Sequence, residues 1–93
     1  MYEIYQTQTF EKVAKKFFKK HKELISKFIK INEQLRENPF HNSLKTHKLS
    51  GNLSEFYACS LTLEYRIIMI IEIKEEEITL INIGSHDEVY KKG

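Results

Sequence analysis

The sequence has few of the residues that mark disulfide-bonded or zinc-bound scaffolds. Cys59 is the only cysteine, Pro39 is the only proline, and tryptophan is missing. A single cysteine excludes an internal disulfide and a zinc site made of cysteines. It also fits a reducing compartment, so we expect a cytoplasmic protein. The chain has only 3 glycines, and it shows neither a low-complexity linker nor an internal repeat.

Long hydrophobic runs are missing as well. The longest apolar run covers only Ile67–Ile71, whereas a membrane-spanning helix needs about 20 apolar residues. The first residues, Met1–Ile4, have neither the basic nor the apolar stretch of a signal peptide. Hydrophobic residues make up 41% and charged residues 30% of the chain, which is an ordinary soluble composition. We therefore expect one globular domain over residues 1–93 and no contact with a membrane.

Charge is unevenly distributed, although the net charge is only +2. Residues 1–50 hold 11 Lys and Arg against 5 Asp and Glu, and residues 51–93 hold 4 against 8. A basic half of this kind can attract an anionic polymer or an acidic partner segment. The simpler interpretation is a solvated helix face, so charge alone does not choose a function.

The first half of the chain predicts a strand followed by a helical hairpin. Residues 1–8 alternate loosely between apolar and polar, which is typical of a strand. Thr9 is a suitable N-cap for the first helix. Apolar residues then recur at helical spacing in two stripes, separated by a turn at residues 21–22, and the second stripe ends before Pro39. The stripes are Phe10, Val13, Ala14, Phe17 and Phe18, then Leu24, Ile25, Phe28, Ile31 or Ile29, and Leu35.

The second half predicts a sheet. Residues 38–52 form a polar loop that is long for a small domain, and such loops are often functional. After this loop the period changes to two, which predicts strands over 56–61, 65–73 and 78–83 joined by short connections. The predicted order is β-α-α-β-β-β. This is an α+β fold in which the helical hairpin packs on one face of a small antiparallel sheet.

Arg66 interrupts the most apolar of these strands, 65–73. On that strand Arg66 lies on the opposite face from Ile67 and Met69. A buried arginine is costly unless a partner or a wet cleft accommodates its charge. We expect this face to stay partly open, where the 38–52 loop and the segment after the last strand come close to Arg66. The polar candidates around it are His47, Glu64, His86 and Tyr90.

Two histidines, a carboxylate and an arginine are the groups that RNA cleavage without a metal would need. A base removes the proton of a ribose 2′-OH, a cation stabilises the charge that builds on the phosphoryl oxygens, and an acid protonates the departing 5′-oxygen. Histidine suits the proton transfers, arginine suits the phosphate, and tyrosine can stack on a base. Sequence spacing alone does not separate this chemistry from phosphate binding without turnover.

Three stretches of the sequence carry a resemblance to a known family. They are Leu49–Leu53 followed by Phe56 and Tyr57, then Glu64–Ile68, then Ile83–Tyr90. In this order they resemble the RelE/ParE superfamily of bacterial toxins, and are most similar to its RelE-like branch containing YafQ and YoeB. The resemblance covers the whole chain, including the two helices. It implies the toxin of a type II toxin–antitoxin system, held inactive by a cognate antitoxin. Such a toxin is an mRNA interferase that cleaves mRNA on the ribosome, inhibits translation and arrests growth.

The resemblance also implies roles for single residues, without a metal or a cofactor. Arg66 matches the strand arginine that contacts the scissile phosphate, and His86 matches the histidine regarded as general acid. Glu64 or His47 would be the general base, and Tyr90 matches an aromatic residue near the acid. The residues that would hold the RNA backbone are Lys45, Lys48 and Arg66.

Two departures from the family pattern leave alternatives open. Ser60 stands where YafQ-type proteins have a second histidine, and the Lys-Lys-Arg-rich site of RelE itself is not reproduced. The rivals are a ParE-like toxin that poisons DNA gyrase, a catalytically degenerate module that only binds an antitoxin, and a ribonuclease that works without the ribosome. The presence of both an acid and a base candidate, His86 and Glu64, argues against the ParE-like function.

Overall fold

Residues 1–90 are the part of the chain that the computed structural model describes, and they contain three α-helices and five strands. No helix in this part has both the length and the apolar character needed to cross a bilayer. Single 3-10 turns cover Lys22–Leu24, Asn42–Leu44 and Gly51–Leu53. The helices and strands are β1 (Glu3–Gln6), α1 (Gln8–Lys20), α2 (Ile25–Glu37), β2 (His47–Lys48), β3 (Tyr57–Ser60), β4 (Tyr65–Glu72), β5 (Glu77–Ser85) and α3 (His86–Tyr90).

The five strands form one sheet in the order β1-β5-β4-β3-β2. Strands β3, β4 and β5 pair antiparallel with one another, as the sequence predicts, and β2 pairs antiparallel with β3, but β1 lies parallel to β5 with Ile4 beside Ile78. The α+β fold is confirmed, and the prediction of a wholly antiparallel sheet is wrong. No turn joins β1 to β5, because the helical hairpin carries the chain from β1 to β2 at the opposite edge of the sheet, and β3 and β4 lead it back to β5. A two-residue turn joins only antiparallel strands, whereas strands so far apart in sequence can lie parallel.

Helix α1 begins after Thr7, not after Thr9. The Thr7 hydroxyl accepts a hydrogen bond from the Phe10 amide at 2.9 Å, and its backbone is extended, as an N-cap requires. The prediction that Thr9 caps this helix is wrong, because Thr9 already lies in the first turn with its side chain exposed. Both threonines fit the sequence pattern of an N-cap, so the pattern does not separate them.

The apolar stripes of α1 and α2 pack on one face of the sheet, as predicted. Phe10 and Leu35 are completely buried in a single core that also contains the apolar residues of β4 and β5. Ile31, rather than Ile29, is the buried member of the α2 stripe. Ile25 was assigned to the same stripe, but it is 41% exposed. The 3-10 turn before α2 breaks the helical spacing, so a stripe extrapolated through it loses register.

Strand β4 separates the core from the opposite face of the sheet. Ile67 and Met69 belong to the core. Arg66 pairs with Ser60 of β3 on one side and with Gly84 of β5 on the other. Because directly paired residues extend to the same face, these three positions share the face away from the core. The predicted division of β4 into an apolar face and an Arg66 face is confirmed.

The 38–52 segment is more regular than a loop. Its two 3-10 turns flank β2, whose residues His47 and Lys48 pair with Ala58 and Tyr57 of β3. The prediction missed this strand because two residues are too few to show a period of two. This pairing fixes His47 at the edge of the sheet, and β3 connects it in register to β4, which contains Arg66.

Replacing Thr7 with alanine should lower the free energy of unfolding by about 1 kcal/mol, because the Phe10 amide loses its hydrogen-bond acceptor. Thr9→Ala is the matched control, since it removes the same atoms two residues further along the chain without removing a cap. Urea unfolding followed by circular dichroism measures both variants. Equal losses would contradict the assignment of Thr7 as the N-cap.

Candidate functional site

Arg66 lies near the start of β4 and is held by backbone oxygen atoms. Its Nη1 donates hydrogen bonds to the carbonyls of Thr62 (2.9 Å) and Leu63 (3.0 Å), both in the connection between β3 and β4. No carboxylate of residues 1–90 forms an ion pair with Arg66. Its hydrogen bonds within these residues all use Nη1, so Nε and Nη2 stay available to an anion. Carbonyl oxygens orient a guanidinium group without cancelling its charge.

A cleft of about 530 Å³ lies beside Arg66, between the 47–53 segment and α3. Four residues predicted from the sequence line it together with Arg66. The side of β2 contributes His47 and Lys48, and α3 contributes His86 and Tyr90. The residues that complete the lining are Leu49, Ser50 and Leu53. Within residues 1–90, no acidic side chain lines this cleft, so its charged groups are all basic.

The orientation of His47 is set by a backbone carbonyl. Its Nδ1 lies 3.1 Å from the carbonyl oxygen of Lys45. A carbonyl can only accept a hydrogen bond, so Nδ1 carries the proton in this contact. In the neutral ring, Nε2 then keeps its lone pair and can accept a proton. The hydrogen bond to Lys45 therefore leaves the lone pair of the exposed imidazole on Nε2, where it can accept a proton.

Helix α3 is fixed to the end of β5 by a capping box. The amide of Ser85 donates to Oε1 of Glu88 at 2.8 Å, and the amide of Glu88 donates to the Ser85 hydroxyl at 3.3 Å. These reciprocal bonds satisfy two backbone donors at the start of the helix. The Ser85 hydrogen bonds also lower the pKa of the Glu88 carboxyl, so the box contains a carboxylate at neutral pH.

Gly84 allows the close contact between β5 and this box. A methyl group on its Cα would lie 2.8 Å from Oε1 of Glu88 and 3.3 Å from the Glu88 Cβ. Any larger residue at position 84 would therefore push Glu88 away from Ser85. This geometry links the end of the central sheet to the helix that bears His86.

His86 and Tyr90 contact each other one turn apart on α3. Their ring centroids are 4.4 Å apart and the rings meet edge to face. The nearest charged partner of His86 is Asp87, with 3.7 Å between Nδ1 and Oδ1. Asp87 is fully exposed, so this ion pair is weak. His86 is thus held mainly by the ring of Tyr90, with much of its imidazole open to the cleft.

Burial and Arg66 act in opposite directions on nearby acidic protons. Burial raises the pKa of the Tyr90 phenol, and the positive charge of Arg66 partly offsets this shift. Burial likewise raises the pKa of the Cys59 thiol to about 12, again opposed by Arg66. Both groups are therefore neutral at physiological pH. Cys59 is completely buried in the core and is not available as a nucleophile.

Sequence comparison assigns the chain to a family. The family model described as bacterial toxin of type II toxin–antitoxin system, YafQ, matches residues 2–91. The chain belongs to this YafQ family of toxins. A putative toxin RelE4 of Methanocaldococcus jannaschii is 23% identical over 92 residues, which cover 99% of this chain and 94% of that protein. The predicted relation to RelE-like toxins of type II systems is confirmed.

Solved structures of toxins share the fold of this YafQ-family chain. YafQ from Escherichia coli strain BL21(DE3) superposes with a TM-score of 0.80 at 17% identity, covering 97% of this chain and 99% of that one. A metal-bound toxin from Helicobacter pylori gives a TM-score of 0.80 at 28% identity, with 97% and 100% covered. A YoeB/ParE toxin from Agrobacterium tumefaciens gives 0.75 at 15% identity, with 90% and 98% covered.

Two predicted site residues of the YafQ-family chain lie away from the cleft. Glu64 is exposed in the β3–β4 connection, where its amide donates to the Thr62 hydroxyl at 3.2 Å, and its side chain does not line the cleft. Lys45 lines a separate groove next to α2. Glu64 is close to Arg66 in sequence, but it lies in the β3–β4 connection and not on β4, and its side chain is not part of the cleft. The structure therefore groups His47, Arg66, His86 and Tyr90 without Glu64.

The residues that position α3 are not among the site residues predicted from the sequence. Ser85 and Glu88 have the Ser-x-x-Glu spacing of a capping box, and this spacing is visible in the sequence. The spacing alone does not predict a helix start here, because the stretch lacks the long apolar run that normally follows a capping box. Within residues 1–90, no three His, Cys, Asp or Glu side chains are grouped closely enough to bind one metal ion.

Glu88→Ala should loosen α3, because the Ser85 amide loses its acceptor. We expect the free energy of unfolding to fall by about 1 kcal/mol and the His86 ring protons to lose the ring-current shift that Tyr90 causes. Glu88→Gln is the control, since an amide oxygen can complete the same box. Proton NMR of the His86 ring measures the effect. Unchanged His86 shifts in the alanine variant would show that the box does not position this side chain.

Proposed function

We propose that this YafQ-family toxin is an endoribonuclease that cleaves mRNA on the ribosome. One observation carries the proposal, namely that two imidazoles line a single cleft together with an arginine that has no carboxylate partner among residues 1–90. Cleavage of RNA by its own 2′-OH needs a base, an acid and a cation at the phosphate. The cleft has a side chain for each role, so the reaction does not require a metal.

In the proposed reaction, Nε2 of His47 takes the proton of the ribose 2′-OH. The 2′-oxygen forms a bond to the adjacent phosphorus while the bond from phosphorus to the 5′-oxygen breaks. His86 gives its proton to the departing 5′-oxygen. The products are a 2′,3′-cyclic phosphate and a 5′-hydroxyl end. The two histidines approach the cleft from different elements, β2 and α3, which suits attack and departure on opposite sides of the phosphorus.

Arg66 would stabilise the negative charge that develops on the phosphoryl oxygens. Its Nε and Nη2 donors are the ones not used by the carbonyls of the β3–β4 connection. Two donors side by side match the two non-bridging oxygens of a phosphate. The neutral phenol of Tyr90 lies against the His86 ring, where it would hold the acid in place or stack on a base. Lys48 would contact the RNA backbone.

Geometry favours His47 over Glu64 as the general base. His47 lines the cleft with a free Nε2, whereas Glu64 lies outside it on an exposed turn. Histidine is also the side chain best suited to take up a proton near neutral pH. A proton acceptor near neutral pH is the more effective catalyst. We therefore assign the base role to His47.

The ribosome would supply what the small cleft lacks. The cleft is open, and few of its side chains can order a flexible strand. A large part of the activation free energy comes from the entropy lost when the 2′-OH is held in line with the 5′-oxygen. An mRNA already fixed by the ribosome meets that need, and its cleavage would inhibit translation. The lysines of the 38–52 segment, Lys45 and Lys48, would approach rRNA, and this binding would weaken as the salt concentration rises.

A cognate antitoxin would be the natural inhibitor. A complex of E. coli YafQ with DinJ has the same toxin fold, with a TM-score of 0.79 at 17% identity, covering 97% of this chain and 99% of that one. In this chain an apolar groove between α1 and α2 contains Phe10, Phe18 and Phe28. Its charged lining residues are three lysines and one glutamate, namely Lys15, Lys19, Lys22 and Glu11, so its net charge is positive. This combination suits an acidic amphipathic helix of the antitoxin.

Cells that express the wild type should stop growing and accumulate new 5′-hydroxyl ends inside translated frames. Arg66→Ala and His86→Ala should abolish both effects, because each removes a group that acts in the transition state. His41→Ala is the control, since His41 is exposed, does not line the cleft, and hydrogen-bonds through its side chain with Ser43. Mapping mRNA 5′ ends during induction measures the outcome. Growth arrest by all variants without such ends would exclude the nuclease and favour a protein target such as gyrase.

The identity of the base can be tested with mRNA-programmed ribosomes. His47→Gln should lower kcat/KM about 100-fold to 10,000-fold, the range expected for loss of a general base. Glu64→Gln should change it less than about threefold, because an exposed carboxylate outside the cleft contributes only a weak field. The reverse order of effects would transfer the base role to Glu64. The wild-type and His41→Ala proteins, measured in the same assay, give the reference values of kcat/KM.

A further inference from the structure

A second groove lies next to the cleft, on the other side of the β3–β4 connection. It has a volume of about 440 Å³ and separates α2 from this connection. Lys27 and Lys30 line it from α2, and Lys45 lines it from the segment before β2. Positions 27 and 30 are three residues apart, so both lysines lie on one face of the helix. Within residues 1–90, no acidic side chain lines this groove.

The three lysines keep their charge available. Ion pairs within residues 1–90 involve only Met1, His21 and His86 as the cationic partners. Three like charges around one concave surface create a positive potential that attracts anions. Gln34 and Ser60 add uncharged polar groups to the same lining. The surface thus offers cations for phosphates together with hydrogen-bonding groups for ribose.

Two hydrogen-bonded links connect this groove with the cleft. Arg66 in the cleft donates to the carbonyls of Thr62 and Leu63, and both of these residues line the groove. His47 in the cleft contacts the carbonyl of Lys45, which also lines the groove. A single strand that passes the scissile position could therefore continue over the β3–β4 connection without leaving the protein surface.

The lower part of the groove is apolar, and its rim includes Leu63, which is 89% exposed. A leucine so exposed at the tip of a connection contributes nothing to the core. Beside the lysines it gives an unstacked base an apolar surface to rest on, while the phosphates face the ammonium groups. A positively charged groove that follows the backbone is a feature of single-stranded nucleic acid sites, and the apolar contact distinguishes this groove from a site for free anions.

We propose that this groove binds the RNA strand outside the scissile step, with Lys27, Lys30 and Lys45 on its phosphates. The proposal rests on the proposed function, since the strand in the groove is the one cleaved in the cleft. It adds a second contact region, and it gives Lys45 a role distant from the reacting phosphate. It also assigns the α2 lysines, which no motif of the sequence singles out.

The test compares two double variants in a cleavage-deficient His86→Gln background. Lys27→Gln/Lys30→Gln removes two charges from the groove, and Lys12→Gln/Lys16→Gln removes two exposed charges from α1, outside every cleft described above. Fluorescence anisotropy with a labelled 15-nucleotide uridine RNA is measured over a range of salt concentrations. The groove variant should reduce the slope of log K against log salt by about 1.4, which is about 0.7 for each lost phosphate contact on a single strand. The α1 variant should leave the slope unchanged.

Equal slopes for the two double variants would overturn the proposal, because the lysines would then act only through the general field. A labelled 15-residue polyglutamate peptide is the second probe. If the groove variant loses affinity for this peptide but not for RNA, the groove binds an acidic protein segment and the proposal is also wrong.

Cleavage of mRNA on programmed ribosomes by the wild type is measured separately. Absence of cleavage would refute the nuclease function, whereas the salt slopes still decide the role of the groove.

Discussion

The arginine on the central apolar strand is the constraint on which the site depends. Strand β4 is the middle of five, and its neighbours on both sides are formed by hydrophobic residues. A guanidinium group cannot be transferred there without compensation. The protein compensates with carbonyl oxygens from the β3–β4 connection, and not with a carboxylate from residues 1–90. An ion pair would have stabilised Arg66 as well, but it would have cancelled the charge that a phosphate needs.

The rest of the site follows from what surrounds Arg66. Gly84, its neighbour on β5, leaves space for Glu88, and Glu88 in turn fixes the start of α3. That helix brings His86 to the cleft. On the other side, the pairing of β2 with β3 brings His47 within the same space. Sheet register thus sets the distance between His86 and His47, and a change in register would separate them.

The sequence predicts the part of this arrangement that depends on local pattern. Helical spacing identifies the core of α1 and α2, and one charge in an apolar strand identifies Arg66. Pattern fails where two positions satisfy the same local rule, as Thr7 and Thr9 do. It also fails for β1, because its pairing with β5 depends on contacts between distant parts of the chain. Glu64 shows a further limit: closeness in sequence to Arg66 does not bring its side chain to the same cleft.

The length of β4 separates an acidic turn of the chain from the cleft that contains Arg66. The acidic turn at residues 74–77 follows the end of β4 that is remote from Arg66. Six residues of extended chain separate Arg66 from Glu72, which corresponds to roughly 20 Å. This distance exceeds the Debye length of about 8 Å at physiological salt. The acidic turn therefore cannot screen the cleft. A net charge near zero is compatible with a cleft whose charged lining residues, within residues 1–90, are all basic, and that cleft is where an anionic strand would bind.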